Sequence, residues 1–185
     1  MPTKPGKSVG VSSASTFQPL KDDGSVRNLK QKKRNSTPKG GSLAAGAASY
    51  RGCLPADAYW SVPIKAGQRY IVTAAISLGC DSRGWSCDNF IFTRSGPEGV
   101  PGYYAKGSLG YPQSQIGSLI GAISPLNAGA SMDPTEAARI FAPAFHVGSH
   151  RDDRSPIDGF LYLIFNDTWT WADNKGAIEA SLQLL

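Results

Sequence analysis

Phe160-Leu161-Tyr162-Leu163-Ile164-Phe165, then Asn166-Asp167-Thr168-Trp169-Thr170-Trp171-Ala172-Asp173-Asn174-Lys175-Gly176, then Ala177-Ile178-Glu179-Ala180-Ser181-Leu182-Gln183-Leu184 is the stretch whose reading decides the fold. The first six residues are an unbroken apolar run of strand length, which predicts a strand buried on both faces. The last eight alternate, with Ile178, Ala180, Leu182 and Leu184 on one face and Ala177, Glu179, Ser181 and Gln183 on the other, which predicts a half-buried strand. Hairpin loops usually hold two to five residues, so the roughly ten between these strands are a surplus. That surplus is rich in oxygen. Asp167, Asp173 and Asn174 offer carboxylate and amide donors, and the turn around Thr170 a main-chain carbonyl, the ligands calcium takes from a loop that curls round it. The same residues also suit a plain turn, because Asx side chains cap local N–H groups and glycine accepts positive φ. Their spacing is not that of an EF-hand.

Working outward, 185 residues with 41% hydrophobic content suit one domain with an appendage, and 21 glycines and 13 prolines favour turns and short strands over long helices. The net charge of +5 is uneven: residues 1–48 carry nine Lys/Arg against Asp22 and Asp23, which leaves the remainder mildly acidic. Residues 1–45 hold only scattered apolar side chains such as Phe17 and Leu20, too few to offset the entropy of ordering, and read as a disordered basic tail or linker. Its cluster Lys30-Gln31-Lys32-Lys33-Arg34 suits an anionic partner, whether nucleic acid, membrane surface or acidic protein, or simply a solvated tail. No aromatic residues interleave with it to stack on single strands. No apolar h-region follows the basic start and no segment is long enough to span a bilayer, so the expected location is the cytoplasm, or the outside by a route other than an ordinary signal peptide.

Between tail and C-terminal stretch, Tyr59-Trp60-Ser61-Val62-Pro63-Ile64 and Arg69-Tyr70-Ile71-Val72-Thr73-Ala74-Ala75-Ile76 read as strands joined at an Ala66-Gly67 turn. Both faces of the second are apolar, which predicts a central strand of a sandwich. Asp88-Asn89-Phe90-Ile91-Phe92-Thr93 and Gly117-Ser118-Leu119-Ile120-Gly121-Ala122-Ile123 read as further strands. Asp133-Pro134-Thr135-Glu136 is a start signal for a short helix: an N-cap, a proline at the first position and an acid at the third.

These motifs, taken together, resemble the galactophilic PA-I-like bacterial lectins. The resemblance rests on Asn166-Asp167, Thr170, Asp173-Asn174 and Gly176 before an alternating terminal strand, and on Tyr50-Arg51-Gly52, Ile64-Lys65-Ala66-Gly67-Gln68, Tyr70 to Ala75, Gly96-Pro97-Glu98-Gly99 and Gly117-Ser118-Leu119-Ile120. Their order and spacing, over most of residues 46–185, carry it. The resemblance implies a small antiparallel β-sandwich, a jelly roll like that of galactose-binding domains, over 46–185. It also implies a Ca2+ ion shared between protein and two hydroxyls of a galactose. On this chain the implied metal ligands are Asp167, the Thr170 or Trp169 carbonyl, Asp173, Asn174 and a carbonyl at Leu78 or Gly79. The implied sugar contacts are Asp167, Thr168, Thr170, Asp173 and Asn174. The His and Gln that the family offers the sugar are missing from the 96–111 loop, where Tyr103 and Tyr104 either present an aromatic platform or pack back on the sandwich. Asp173 stands where the family usually has Asn.

Two clusters remain. Cys80 and Cys87 enclose a short loop that a disulfide can close, leaving Cys53 over; free thiols are as well supported, and four ligands for zinc are lacking. His146-Val147-Gly148-Ser149-His150-Arg151-Asp152-Asp153 is where an enzyme hypothesis would start, but the central Gly-Ser favours a solvated loop and no nucleophile motif accompanies it. The expectation is therefore a non-enzymatic, calcium-dependent lectin for galactose-containing glycans, assembled as a homo-oligomer to gain avidity. The alternative is a β-sandwich that mediates protein assembly, its tail docking an acidic partner and the 167–174 loop a mere turn.

Overall fold

The computed structural model describes residues 32–42, 47–87, 94–104, 111, 113–167 and 174–185. It is an all-β sandwich. One sheet contains β1 (Lys33–Asn35), β4 (Ala58–Ile64), β7 (Leu119–Ser124), β8 (Ser131–Met132), β9 (Phe145–His146) and β11 (Gly159–Phe165), in the order β8-β1-β4-β11-β7-β9. The other contains β2 (Gly41–Ser42), β3 (Ala48–Pro55), β5 (Arg69–Ala75), β10 (His150–Arg154) and β12 (Asn174–Leu184), in the order β10-β5-β12-β3-β2, with β6 (Trp85–Cys87) paired to the start of β12. The described pairings are antiparallel except β1 with β4.

The unbroken apolar run becomes β11, and it is buried on both faces as its composition predicts. Leu161, Leu163 and Phe165 enter the core between the sheets, where they meet Ile178, Ala180, Leu182 and Leu184 from the alternating strand β12. Tyr162 and Ile164 enter a second core with Tyr59, Ile120, Met132, Ala137 and Ile140. That second core exists because residues 125–141 fold over the outer face of β11 and β7. There α1 (Pro134–Ile140) starts at Asp133, whose side chain accepts from Glu136 N at 2.8 Å. The Tyr162 hydroxyl donates to Leu126 O at 2.6 Å and accepts from Ala128 N at 3.0 Å, tying this excursion down. Full burial of such side chains stabilises by roughly 1.5–3 kcal/mol each, so truncating Leu163 would cost about 2–5 kcal/mol once the cavity is included.

Several expectations are corrected. The folded part begins well before residue 46: Arg34 pairs with Ala58 and Ser131, and Gly41 with Ser49, so residues 32–42 contribute a strand to each sheet. Of the tail expected at 1–45, residues 1–31 and 43–45 lie outside the described residues, as does the strand expected at 88–93. Strand β5 is internal to its sheet but buries only Tyr70, Val72 and Ala74. Its outer face meets solvent, where Thr73 and Ser181 share a 2.6 Å hydrogen bond. Residues 150–154, read as a loop, form β10, because Gly148 at φ 62° completes the turn within two residues and lets His150 pair with Thr73. The disulfide joins Cys53 to Cys80, not Cys80 to Cys87: the turn at 77–81 folds back over β3, while Cys87 pairs with Asn174. Finally, β11 and β12 lie in different sheets, so the loop between them is an arch rather than a hairpin. Part of its length spans the sheet separation of about 10 Å. The β3 to β4 connection crosses with only Ala56 and Asp57, so the surplus is still real.

Candidate functional site

The alternation that sends Leu161, Leu163 and Phe165 inward continues to Asp167, which is 5% exposed at the end of the sandwich. Asn174 opens β12 and is 6% exposed. Its Nδ2 donates a long 3.5 Å hydrogen bond to Ala56 O in the β3–β4 turn. Its Oδ1 is buried with no hydrogen-bond partner among the described residues. Unpaired buried acceptors are uncommon in folded proteins and call for an explanation. Gly176 (φ 83°) must be glycine here, because a Cβ would collide with the Gly84 carbonyl and with Arg94.

A third side chain reaches the same place from the N-terminal arm. Lys33 on β1 is wholly buried, and its Nζ donates to Ala56 O at 2.8 Å, the acceptor Asn174 also uses. The ammonium lies 5.6 Å from the centroid of the Phe165 ring. Burial pushes its pKa down to about 8, against the opposing pull of Asp167 and then Asp57. The end of the sandwich thus holds a carboxylate, an amide, a main-chain carbonyl and an ammonium, closed from the core side by Trp85 against Phe165 in an edge contact at 5.0 Å.

Asn166 does different work. Its Nδ2 donates to Gln115 O at 2.9 Å, Tyr111 O at 3.2 Å and Ser114 O at 3.3 Å, while Oδ1 accepts from Tyr111 N at 2.8 Å. This fastens residues 111–115 to the end of β11. Ile116 N donates in turn to Tyr103 O at 2.7 Å, and Tyr104 bridges Gln115. Tyr103 and Tyr104 are each 54% exposed, so neither ring is packed away.

Of the residues singled out from the sequence, Asp167 and Asn174 are described and both are buried. Thr168, Thr170 and Asp173 lie outside the described residues, as does Trp169. Gly79 is elsewhere: its carbonyl is 3.7 Å from Cys53 Sγ, and Cys53 is opposite Glu179, five residues along β12 from Asn174 and so about 17 Å away at strand spacing. The carbonyl that meets Asn174 is that of Ala56. Lys33 was hidden in a charge run that reads as solvated. Among the described residues no three of His, Cys, Asp and Glu come together as a metal group.

The histidine region makes a chain of its own. His146 Nδ1 is 2.8 Å from Ser114 Oγ and its Nε2 is 3.4 Å from Glu98 Oε2, while Glu98 Oε1 accepts from Ser149 N at 2.6 Å. Ser114 is 3% exposed, so its hydroxyl serves to hold the loops together rather than to face a substrate.

Fold and site define a two-sheet β-sandwich with a buried polar nest where β11, β12 and the β3–β4 turn meet. No family model and no curated protein matches the chain. Among solved structures it is similar to one described as the EclA N-terminal domain, a PllA-like lectin, with 16% identity and a TM-score of 0.40 over 72% of this chain and 98% of that one.

Proposed function

We propose that the protein is a lectin that binds galactose-containing glycans through a calcium ion held by the arch between β11 and β12. The observation that carries this reading is that Asp167 and Asn174, at the two ends of the arch, are both buried, and that the amide oxygen Asn174 Oδ1 has no hydrogen-bond partner among the described residues. Hard oxygen donors of these two kinds suit calcium, which asks for several of them and tolerates irregular geometry. Asp173 and the Thr170 carbonyl are the natural further donors on the same arch. When bound, the ion supplies coordination positions that two vicinal sugar hydroxyls fill. Asp167, Asn174, Asp173 and Thr168 then accept or donate the hydrogen bonds that fix hydroxyl stereochemistry, and Tyr103 and Tyr104 offer rings to the apolar face of the sugar. Repetition in a homo-oligomer would raise avidity, and the basic N-terminal residues would serve an anionic partner. The Cys53–Cys80 disulfide favours an oxidising compartment over the cytoplasm.

Calorimetric titration of calcium into metal-stripped protein tests this. One site per chain that Asp167→Ala abolishes is the expected result; no heat of binding at any calcium concentration would sink it. The competing account, a metal-free interaction module, draws on Lys33, whose ammonium already answers the Asp167 charge. It predicts that silent titration.

A further inference from the structure

Strands β9 and β10 are the outermost strands of their sheets and lie on the same side of the sandwich, where Arg151 Nη1 donates to His146 O at 2.9 Å. There the sheets leave a cleft of about 330 Å³, walled by Tyr70, Ile123, Pro143, Phe145 and Pro156. That volume is at the lower end of what small-molecule sites occupy, roughly 300–1,000 Å³, and apolar walls with a few placed polar groups are their usual lining. A Cβ at Gly121 would lie 2.6 Å from Phe145 Cε2, so glycine there gives the ring its place. Arg151, Asp153 and Arg154 complete the lining. The Arg151 guanidinium sits 4.3 Å over the Phe145 ring and gives Nη2 to Asp153 Oδ2 at 2.6 Å. Arg154 gives Nη1 to Gly67 O at 2.9 Å and has no ion pair among the described residues, Asp152 and Asp153 being held by Arg69 and Arg151. Two guanidiniums therefore meet one carboxylate, and the cleft is positive by one charge.

Tyr70 supplies the deciding group. The residue is 1% exposed, and its hydroxyl accepts a long 3.4 Å hydrogen bond from Arg151 Nε. Its own proton goes to no acceptor among the described residues, although a phenol can donate as well as accept. A buried donor left unmatched costs stability and calls for an explanation. We infer that this cleft binds a small aryl carboxylate, its ring between Ile123, Phe145 and the two prolines, its carboxylate taking the Tyr70 proton beside Arg151 and Arg154. The site shares no residue with the β11–β12 arch and goes beyond the sugar reading. A carboxylate answers the single surplus charge, whereas a cation is repelled and a dianion is overcharged. Its second oxygen meets Arg151, which spends three of its five N–H groups on Tyr70, His146 and Asp153 and keeps two.

The probe is 2-naphthoate, titrated calorimetrically into the full chain, with 2-naphthamide as the uncharged control of the same shape. The expected result is one site per chain of submillimolar affinity, with the amide at least roughly tenfold weaker. Tyr70→Phe keeps the ring and should weaken naphthoate roughly tenfold, the worth of one hydrogen bond to a charged group. Its thermal midpoint should not fall, because the proton it removes has no acceptor. Arg154→Gln alters an exposed side chain and should weaken binding roughly threefold, as expected of a solvated charge. No binding of naphthoate at millimolar concentration would overturn the inference. So would binding that Tyr70→Phe leaves unchanged, which would place the probe elsewhere, and so would equal binding of the amide, which would give the cleft to an uncharged aryl group.

Discussion

Replacing Asn166 by alanine removes the side chain that fastens the tyrosine-bearing loop to the sandwich. It makes four contacts: one accepted from Tyr111 N and three donated toward the carbonyls of Gln115, Tyr111 and Ser114. The amide has two hydrogens for those three carbonyls, so about three good hydrogen bonds are at stake. At about 1 kcal/mol each, and with the residue fully buried, the loss is about 3 kcal/mol, a large part of the 5–15 kcal/mol typical of a domain. Asn166→Asp should be no better, since it keeps the acceptor for Tyr111 N but turns carboxylate oxygen toward three carbonyls. Urea unfolding should show a lowered midpoint with an unchanged slope. Hydrogen exchange should quicken at the Ile116 amide, which bonds Tyr103 O. A loss below about 1 kcal/mol, or no change at that amide, would refute the view that Asn166 holds the loop in place.

Three other outcomes follow from the same structure. With chelator present, stability should rise between pH 8 and 10: Lys33 titrates near 8 when folded and near 10.5 when unfolded, so the unfolded chain binds more protons in that window. The full difference is about 3 kcal/mol, Lys33→Met should flatten the rise, and above about pH 10 the Tyr59 hydroxyl, pushed up to about 12 by burial, should turn the curve downward; a flat profile in the unaltered chain would contradict the placement of Lys33. Reduction of the Cys53–Cys80 bond, which spans a separation of 27 residues, should cost about 3.5 kcal/mol by loop-closure entropy, and denatured unreduced protein should show one free thiol, Cys87. Tyr103→Ala and Tyr104→Ala should leave stability within about 0.5 kcal/mol, both rings being half exposed, but weaken galactoside binding roughly fivefold; unchanged binding would remove them from the site.

How much of this was legible depends on how local each signal is. The double-faced burial of Phe160 to Phe165, the alternation of Ile178 to Leu184 and the Asp133 helix start are written in adjacent residues, and the structure realises each. Lys33-Arg34-Asn35 has low strand propensity and reads as solvated; it becomes β1 because distant strands β4 and β8 accept it, a pairing no local pattern encodes. The partner of Cys80 was equally distant, since Cys53 is brought near by the fold and not by spacing. Thr73 and Ala75 look compatible with a core, but only the sheet order reveals that their face meets water. At the candidate site, Asp167 and Asn174 stand out in the sequence because strand ends carry turn-forming oxygens, and the structure buries both. Ala56 and Lys33 escaped because a main-chain carbonyl has no sequence signature and a buried lysine looks like any other.

The central claim is that the nest at the ends of β11 and β12 binds sugar through calcium. Calorimetric titration of methyl β-galactoside into calcium-saturated protein, repeated in excess chelator, tests it most directly. The account predicts one site per chain with calcium and none without. Equal binding in chelator, or no binding in saturating calcium, would contradict it.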